Sequence, residues 1–326
     1  MSDLVHIWSK CHACGAQPIV GRRFECTSCS IGPDNDLCEA CHHAFELGDV
    51  EHPAPSSYAA KMGRVGHVFR AREGLSPDRY DPWLGVSLTE TRAPLVPDRF
   101  VVRPEFRVGY DSFFGSYAFV VESEDDGPPL VLTALHVMDE LIKGRGIDCT
   151  AQNISYTGQE LPGLVTDVGL YDVFAPNWML AELGSAQSML VLPGARVGEE
   201  EPLSDCDIAA FLVSRSARVT PSRLAAYTPR LGDPVWLAFH RSASSLRTIE
   251  AVVVETTERT FIVRFANPHE IAPYSSGAPL IDREGAVVGI NVGAGWYGGR
   301  RFGHANGVGS IRRHLGMTNA ARSDAA

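Results

Sequence analysis

The stretch Tyr274-Ser275-Ser276-Gly277-Ala278-Pro279-Leu280-Ile281 runs from a turn of small residues directly into an apolar strand. A hydroxyl on such a turn is exposed, with free backbone N–H groups beside it, which is the setting an attacking serine needs. A second apolar strand, Ala286-Val287-Val288-Gly289-Ile290-Asn291-Val292, follows at once. Working outward, short apolar runs at 117–121, 130–133, 208–213, 235–239, 249–255 and 261–265 alternate with turn clusters. This spacing predicts an all-β barrel or sandwich. Residues 309–315 read as a short terminal helix and 318–326 as a frayed tail.

Two further side chains lie in comparable contexts. The run Leu130-Val131-Leu132-Thr133-Ala134-Leu135-His136 is a hydrophobic strand ending in a histidine that opens a short helical turn. Asp207, in Asp205-Cys206-Asp207-Ile208-Ala209-Ala210-Phe211, stands at the mouth of a buried strand. Serine is a poor nucleophile at neutral pH. An imidazole can take its proton as general base, and a carboxylate can fix the imidazole tautomer and stabilise the cation that forms.

In the chain order His, Asp, Ser these motifs resemble the trypsin-like serine peptidases, most closely the bacterial high-temperature-requirement branch. The similarity spans 105–316. It rests on the small-residue strand Gly115-Ser116-Tyr117-Ala118-Phe119-Val120-Val121 before Thr-x-x-His, and on Asp-Ile-Ala at 207–209. Ser-Gly-x-Pro-Leu at 276–280 and Gly-Ile-Asn at 289–291 complete it. The resemblance implies a mainly β protein with a double six-stranded barrel, working by a triad of His136, Asp207 and Ser276 through an acyl-enzyme. The backbone N–H groups of Tyr274 and Ser276 would form the oxyanion hole, worth roughly 3 kcal/mol per donor. Asp205 and Ser275 are the rivals of Asp207 and Ser276. Glu270, six residues before Ser276, would sit at the base of the primary specificity pocket with Val292, Gly293 and Ala294 beside it, favouring Arg or Lys.

The chain departs from the family at Tyr274, where a glycine is usual, and at Ala278. Glycine reaches backbone conformations that tyrosine adopts only with strain. An oxyanion hole that a substrate or partner must reshape is one expectation; a catalytically inactive adaptor is the other. The Ile19-Val20-Gly21 string lies inside the cysteine-rich segment, so activation by cleavage at a new N-terminus is not expected.

The N-terminal segment has a different chemistry. Cys11-x-x-Cys14, Cys26-x-x-Cys29 and Cys38-x-x-Cys41 are followed by His52 and His67, together eight ligands and enough for two closed tetrahedral zinc sites. So short a segment lacks the area for a strong core, so metal should supply much of its folding free energy. His42 and His43, directly after Cys41, are the competing imidazoles.

The stretch resembles the ZZ-type zinc finger through the three pairs, the run Pro18-Ile19-Val20-Gly21-Arg22-Arg23-Phe24 and the turn Asp34-Asn35-Asp36-Leu37-Cys38-Glu39-Ala40-Cys41. That resemblance implies a cross-brace, with Cys11, Cys14, Cys38 and Cys41 on one ion and Cys26, Cys29, His52 and His67 on the other. It also implies that Asp34 and Asp36 hold a peptide N-terminus or a basic side chain by pairing an ammonium with carboxylates.

Composition bounds the rest. The 326 residues are 44% hydrophobic and 21% charged, with a formal net charge of -10. The negative balance disfavours nucleic-acid binding and a polybasic membrane patch. Neither a leader-like apolar segment nor a membrane-length apolar run is present, so a cytoplasmic protein with no membrane span is expected. Six of the eight cysteines are bunched, which favours metal over disulfides; Cys149 and Cys206 read as reduced thiols. The organisation expected is a zinc finger at 1–72, a proline-punctuated linker at 73–104, the peptidase domain at 105–316 and a tail at 317–326. The partners expected are a protein or peptide substrate and an N-terminal peptide ligand of the finger.

Overall fold

The computed structural model describes residues 4–26, 36–52, 67–88, 91–123, 127–138, 165, 167–177, 179, 181–197, 205–239, 248–267 and 275–317. They form two compact units. The first holds the described residues of Met1–Val86 and Ala294–Phe302; the second holds those of Ser87–Met138, Ser155–Gly293 and Gly303–Ala326.

In the first unit, β1 (Val5–His6) pairs with β2 (Ile19–Val20). β3 (Arg23–Cys26) lies between β4 (Asp36–Cys38) and β5 (Phe69–Arg72). Helix α1 (Glu39–Leu47) follows β4 and stops at Gly48, whose φ of 82° is the left-handed conformation that ends helices without a Cβ penalty. A helical turn, α2 (Asp81–Leu84), carries the buried Trp83 against Phe302 at 5.4 Å between ring centroids. Trp296 N–H donates to Ile7 O at 2.6 Å.

The second unit is a pair of closed barrels. The strands of the first are β6 (Val101–Val108), β7 (Asp111–Phe114), β8 (Ala118–Val121), β9 (Leu130–Thr133), β10 (Asp167–Asp172), β11 (Glu182–Met189) and β12 (Ala209–Val213). They run in the order β10-β11-β12-β9-β8-β6, and pairing of β10 with β6 closes six strands into a ring; β7 adds to the outside of β6. The second barrel comprises β13 (Pro234–Ala238), β14 (Thr248–Thr256), β15 (Thr260–Phe265), β16 (Pro279–Ile281), β17 (Val287–Tyr297) and β18 (Arg300–Gly307), closed in the order β13-β14-β15-β18-β17-β16. Helix α3 (Val308–His314) follows. The fold is thus the mainly β double six-stranded barrel that the resemblance implies, and of the barrel or sandwich that the strand spacing predicts it is the barrel.

Alternation along the strands builds two cores. On β13, Val235 and Leu237 point into the second barrel with Ile249, Val253, Phe261, Val263 and Leu280. Their neighbours Trp236 and Ala238 join Phe119, Leu132, Ala210, Ile281 and Ile290 in a core shared between the barrels. A strand buried on both faces must be apolar throughout, and Pro234-Val235-Trp236-Leu237-Ala238 is. At roughly 1.5–3 kcal/mol per fully buried large side chain, this shared layer holds the barrels in one register and so fixes the residues at their junction. Among the described residues no helix is long and apolar enough to cross a membrane.

Candidate active site and metal clusters

The pairing of β12 with β9 places Ala209 opposite Thr133. Continuing that register by two residues sets Asp207 across from the start of the 3₁₀ turn Leu135–Met138, which Leu135 and Met138 anchor by burial. Asp207 Oδ1 accepts the His136 backbone N–H at 2.9 Å, and Oδ2 accepts Nδ1–H of the same residue at 2.6 Å. With the proton held on Nδ1, Nε2 carries no proton and has the lone pair a base needs. The His136 side chain keeps 25% of its surface exposed and Asp207 12%, so the imidazole has an open edge while its carboxylate is shielded.

Ser276 comes from the second barrel. Ala278 N–H donates to Ser275 O at 3.1 Å across the turn, and Gly277 takes φ +80°, the position of a type II turn that demands glycine. A Cβ there would strike the Tyr117 carbonyl and the Thr133 hydroxyl. Those two groups are themselves joined, Thr133 Oγ1 donating to Tyr117 O at 2.6 Å, and Tyr117 N–H donates to Ser276 O at 3.2 Å. The serine turn therefore rests on Thr133, at the end of the strand that leads to His136, and on Tyr117, just before β8. Ser275 is buried, and Asn291 Nδ2 donates to its Oγ at 3.2 Å and to its carbonyl at 3.1 Å. Ser276 remains half-exposed.

Asp205 has other commitments. Arg313 and Arg259 donate to its Oδ2 at 2.8 and 3.4 Å. Burial works against its ionisation, but the Cys206 thiol and the two guanidinium groups outweigh it and hold the carboxyl below its usual range. Val292 is buried on β17, with Gly293 and Ala294 half-buried after it. Tyr274 and Glu270 lie outside the described residues, as do Cys29, Asp34 and Cys149. Sequence reasoning gave no role to the two buried amides at this junction, Asn291 of the Gly-Ile-Asn motif beneath the serine turn and Asn306, whose Nδ2 donates to Asp207 O at 2.8 Å. For Asn291 the signal was there in principle, since a polar residue within an apolar strand needs a partner, whereas β18, with Arg300, Arg301 and His304, gives Asn306 no such contrast.

Two side-chain clusters in the N-terminal unit have metal-binding chemistry. The sulfurs of Cys11, Cys14, Cys38 and Cys41 all lie within 4.8 Å of one another, as do the donor atoms of Cys26, His52 and His67. A tetrahedron with Zn–S near 2.3 Å separates its sulfurs by about 3.8 Å, and a mixed sulfur–nitrogen edge is about 3.6 Å. The Cys14–Cys38 sulfur separation is 3.9 Å and Cys26 Sγ to His67 Nδ1 is 3.6 Å, so both donor sets fit. Burial opposes ionisation of Cys11, but the backbone N–H groups of Cys14 and Cys38 and the Cys14 thiol bring it down to about 7. His42 stacks on Phe24 at 3.9 Å between centroids. Asp36 is buried, with Arg23 Nε 3.4 Å from its Oδ2.

A model of the trypsin-like peptidase domain matches residues 116–290, more than half of the chain. The chain belongs to the trypsin-like peptidase family. Residues 6–48 match the ZZ-type zinc finger, which with the four-cysteine cluster supports zinc binding. Among solved structures this peptidase is similar to the Rv3671c protease of M. tuberculosis in its active form, at 16% identity over 73% of this chain and 96% of that one, with a TM-score of 0.40. It is also similar to the MamO protease domain of Magnetospirillum magneticum, at 18% identity over 67% and 96% of the two chains and a TM-score of 0.38. The serine endoprotease of Yersinia pestis matches at 15% identity over 73% and 65%, with a TM-score of 0.39. Among curated proteins no sequence matches.

Proposed function

We propose that this trypsin-like peptidase is a regulated cytoplasmic serine endopeptidase in which His136, Asp207 and Ser276 carry out acyl transfer. The observation that bears most weight is the two-point grip of Asp207 on His136. Nε2 of His136 takes the Ser276 proton as Oγ bonds to the scissile carbonyl carbon, whose π electrons move onto oxygen. The N–H groups of Ser276 and Tyr274 receive that oxyanion. The C–N bond then breaks, and the departing amine takes the proton from His136. Water, deprotonated by the same imidazole, releases the acyl group and restores the serine. Burial of Ser275 under Asn291, and the ties of Asp205 to two arginines, support Ser276 and Asp207 over their rivals.

The N-terminal module holds two structural zinc ions, one on Cys11, Cys14, Cys38 and Cys41 and one on Cys26, Cys29, His52 and His67. It recruits a protein partner or a peptide N-terminus. Asp36 is already paired with Arg23, so a peptide amine would compete with a guanidinium there.

Labelling by a fluorophosphonate probe tests the catalytic reading. Wild type and Ser275→Ala should be modified and Ser276→Ala should not. A wild-type chain that stays unlabelled with zinc and candidate peptides present would leave the adaptor reading, which Tyr274 favours.

A further inference from the structure

Asn306 is fully buried on β18. Its neighbour Ala305 packs into the core of the second barrel, so Asn306 and His304 project from the opposite face of the strand. Apolar residues are the default at such a position, because an amide there costs free energy unless it is bonded. Its Nδ2 donates to the Asp207 carbonyl at 2.8 Å, while among the described residues no donor reaches its Oδ1. Helix α3, which follows β18, and the turn between β14 and β15 reach the acid's loop as well. Ser310 Oγ donates to Asp205 O, and Arg313 and Arg259 bind the Asp205 carboxylate.

We propose that Asn306 is a positioning residue for Asp207, fastening the main chain of the acid to the barrel that carries Ser276. The proposal rests on the peptidase reading above and adds a residue to it. His136 and Asp207 belong to the first barrel and Ser276 to the second, so catalysis needs the two barrels in register to within a fraction of an ångström. A hydrogen bond from β18 to Asp207 O supplies that register next to the carboxylate that grips His136. His304, beside Asn306 on the same face, is held by burial down to about 4 against the pull of Asp207 and Asp205. It is neutral near pH 7, so it sets no competing cation beside Asp207.

Proton NMR of the full zinc-loaded chain gives a readout that does not require turnover. The Nδ1 proton of His136, bonded to Asp207, resonates far downfield whether or not Ser276 reacts. Asn306→Leu removes the amide at similar volume. It should abolish or displace that resonance and slow fluorophosphonate labelling roughly ten- to a hundredfold, with the concentration dependence of the probe unchanged. Val253→Ala, which destabilises the second barrel elsewhere, should keep the resonance. If Asn306→Leu does not fold, Asn306→Ser, whose hydroxyl is too short to reach the carbonyl, should give the same loss. An unchanged resonance in the Asn306 variant overturns the proposal, even if labelling slows. A wild type that shows the resonance but never labels defeats the peptidase reading alone, and the resonance in Asn306→Leu still decides the positioning role.

Discussion

Among the described residues of the N-terminal module, one buried apolar cluster joins Cys11, Ile19 and Leu37, with a few half-buried rings around it, and Val5 and Ile7 are buried beside β2 and Trp296. The second barrel alone encloses Val235, Leu237, Ile249, Val253, Phe261, Val263, Phe265, Leu280 and Val288. Both regions are rich in β-structure, yet they must be stable for different reasons. In the barrels, burial of apolar surface offsets the entropy of ordering the chain. In the finger that term is too small, and thiolates and imidazoles converging on metal must replace it. The same contrast appears in how polar groups are used. In the proposed reading the finger's cysteines hold metal and through it the fold, whereas His136, Asp207 and Ser276 are proposed to act at the edge of a fold built from apolar burial.

Metal removal should separate the regions most sharply. A strong chelator should unfold the finger, which stands to lose on the order of 10 kcal/mol of metal-linked stability, and leave the barrel transition in place. Two resolved transitions by calorimetry before chelation, and one after, is the expected outcome. A single merged transition that moves as a whole would mean that the barrels also depend on metal.

Asp207→Asn should be next in size. It leaves the geometry in place but puts the wrong tautomer on His136, so labelling or turnover should fall by about 10⁴ with the barrel's denaturant midpoint nearly unchanged. Cys38→Ser in the finger should do the reverse, costing local structure and metal while sparing the labelling chemistry.

Core truncation sharpens the comparison from the other side. Phe261→Ala should cost the second barrel about 3–5 kcal/mol in equilibrium unfolding. Ile19→Ala in the metal-loaded finger should cost less than the metal contributes, leaving zinc stoichiometry intact.

Acid should weaken the barrel by a smaller and separately traceable amount. His304 is neutral when folded, held to about 4, whereas a free imidazole titrates near 6.5. Between these values the unfolded chain binds the extra proton, so stability is full above about pH 6.5 and drains away as pH falls toward 4. The loss should be on the order of 3 kcal/mol, and His304→Gln should flatten the pH dependence of the barrel's midpoint.

The regions also differ in how readily they are read from sequence. In the barrels, strand positions followed from apolar runs between turns, because the two-residue period is local. The turn at Gly277 was equally legible, since a small-residue turn leading into a strand is recognisable without its partners. In the finger, cysteine spacing alone announced metal. Which imidazoles stand beside Cys26 was not local: His42 and His43 directly follow a cysteine, yet His52 and His67 bring their ring nitrogens to the Cys26 sulfur. Asn306 drew no notice, because an asparagine has no meaning until the carbonyl it faces is known.

By itself, then, the sequence determined the strand-rich barrels, the metal chemistry of the N-terminus and the set of candidate acids, bases and nucleophiles. These depend on residue type, period and short spacing, which neighbours along the chain dictate. Only the tertiary structure decided that Asp207 grips His136 while Asp205 serves two arginines, that Ser275 is buried under Asn291, and that Asn306 reaches the acid from the other barrel. Each of these is a hydrogen bond or ion pair of a few ångströms between segments tens of residues apart, and such distances exist only once the apolar layer between the barrels has set their register.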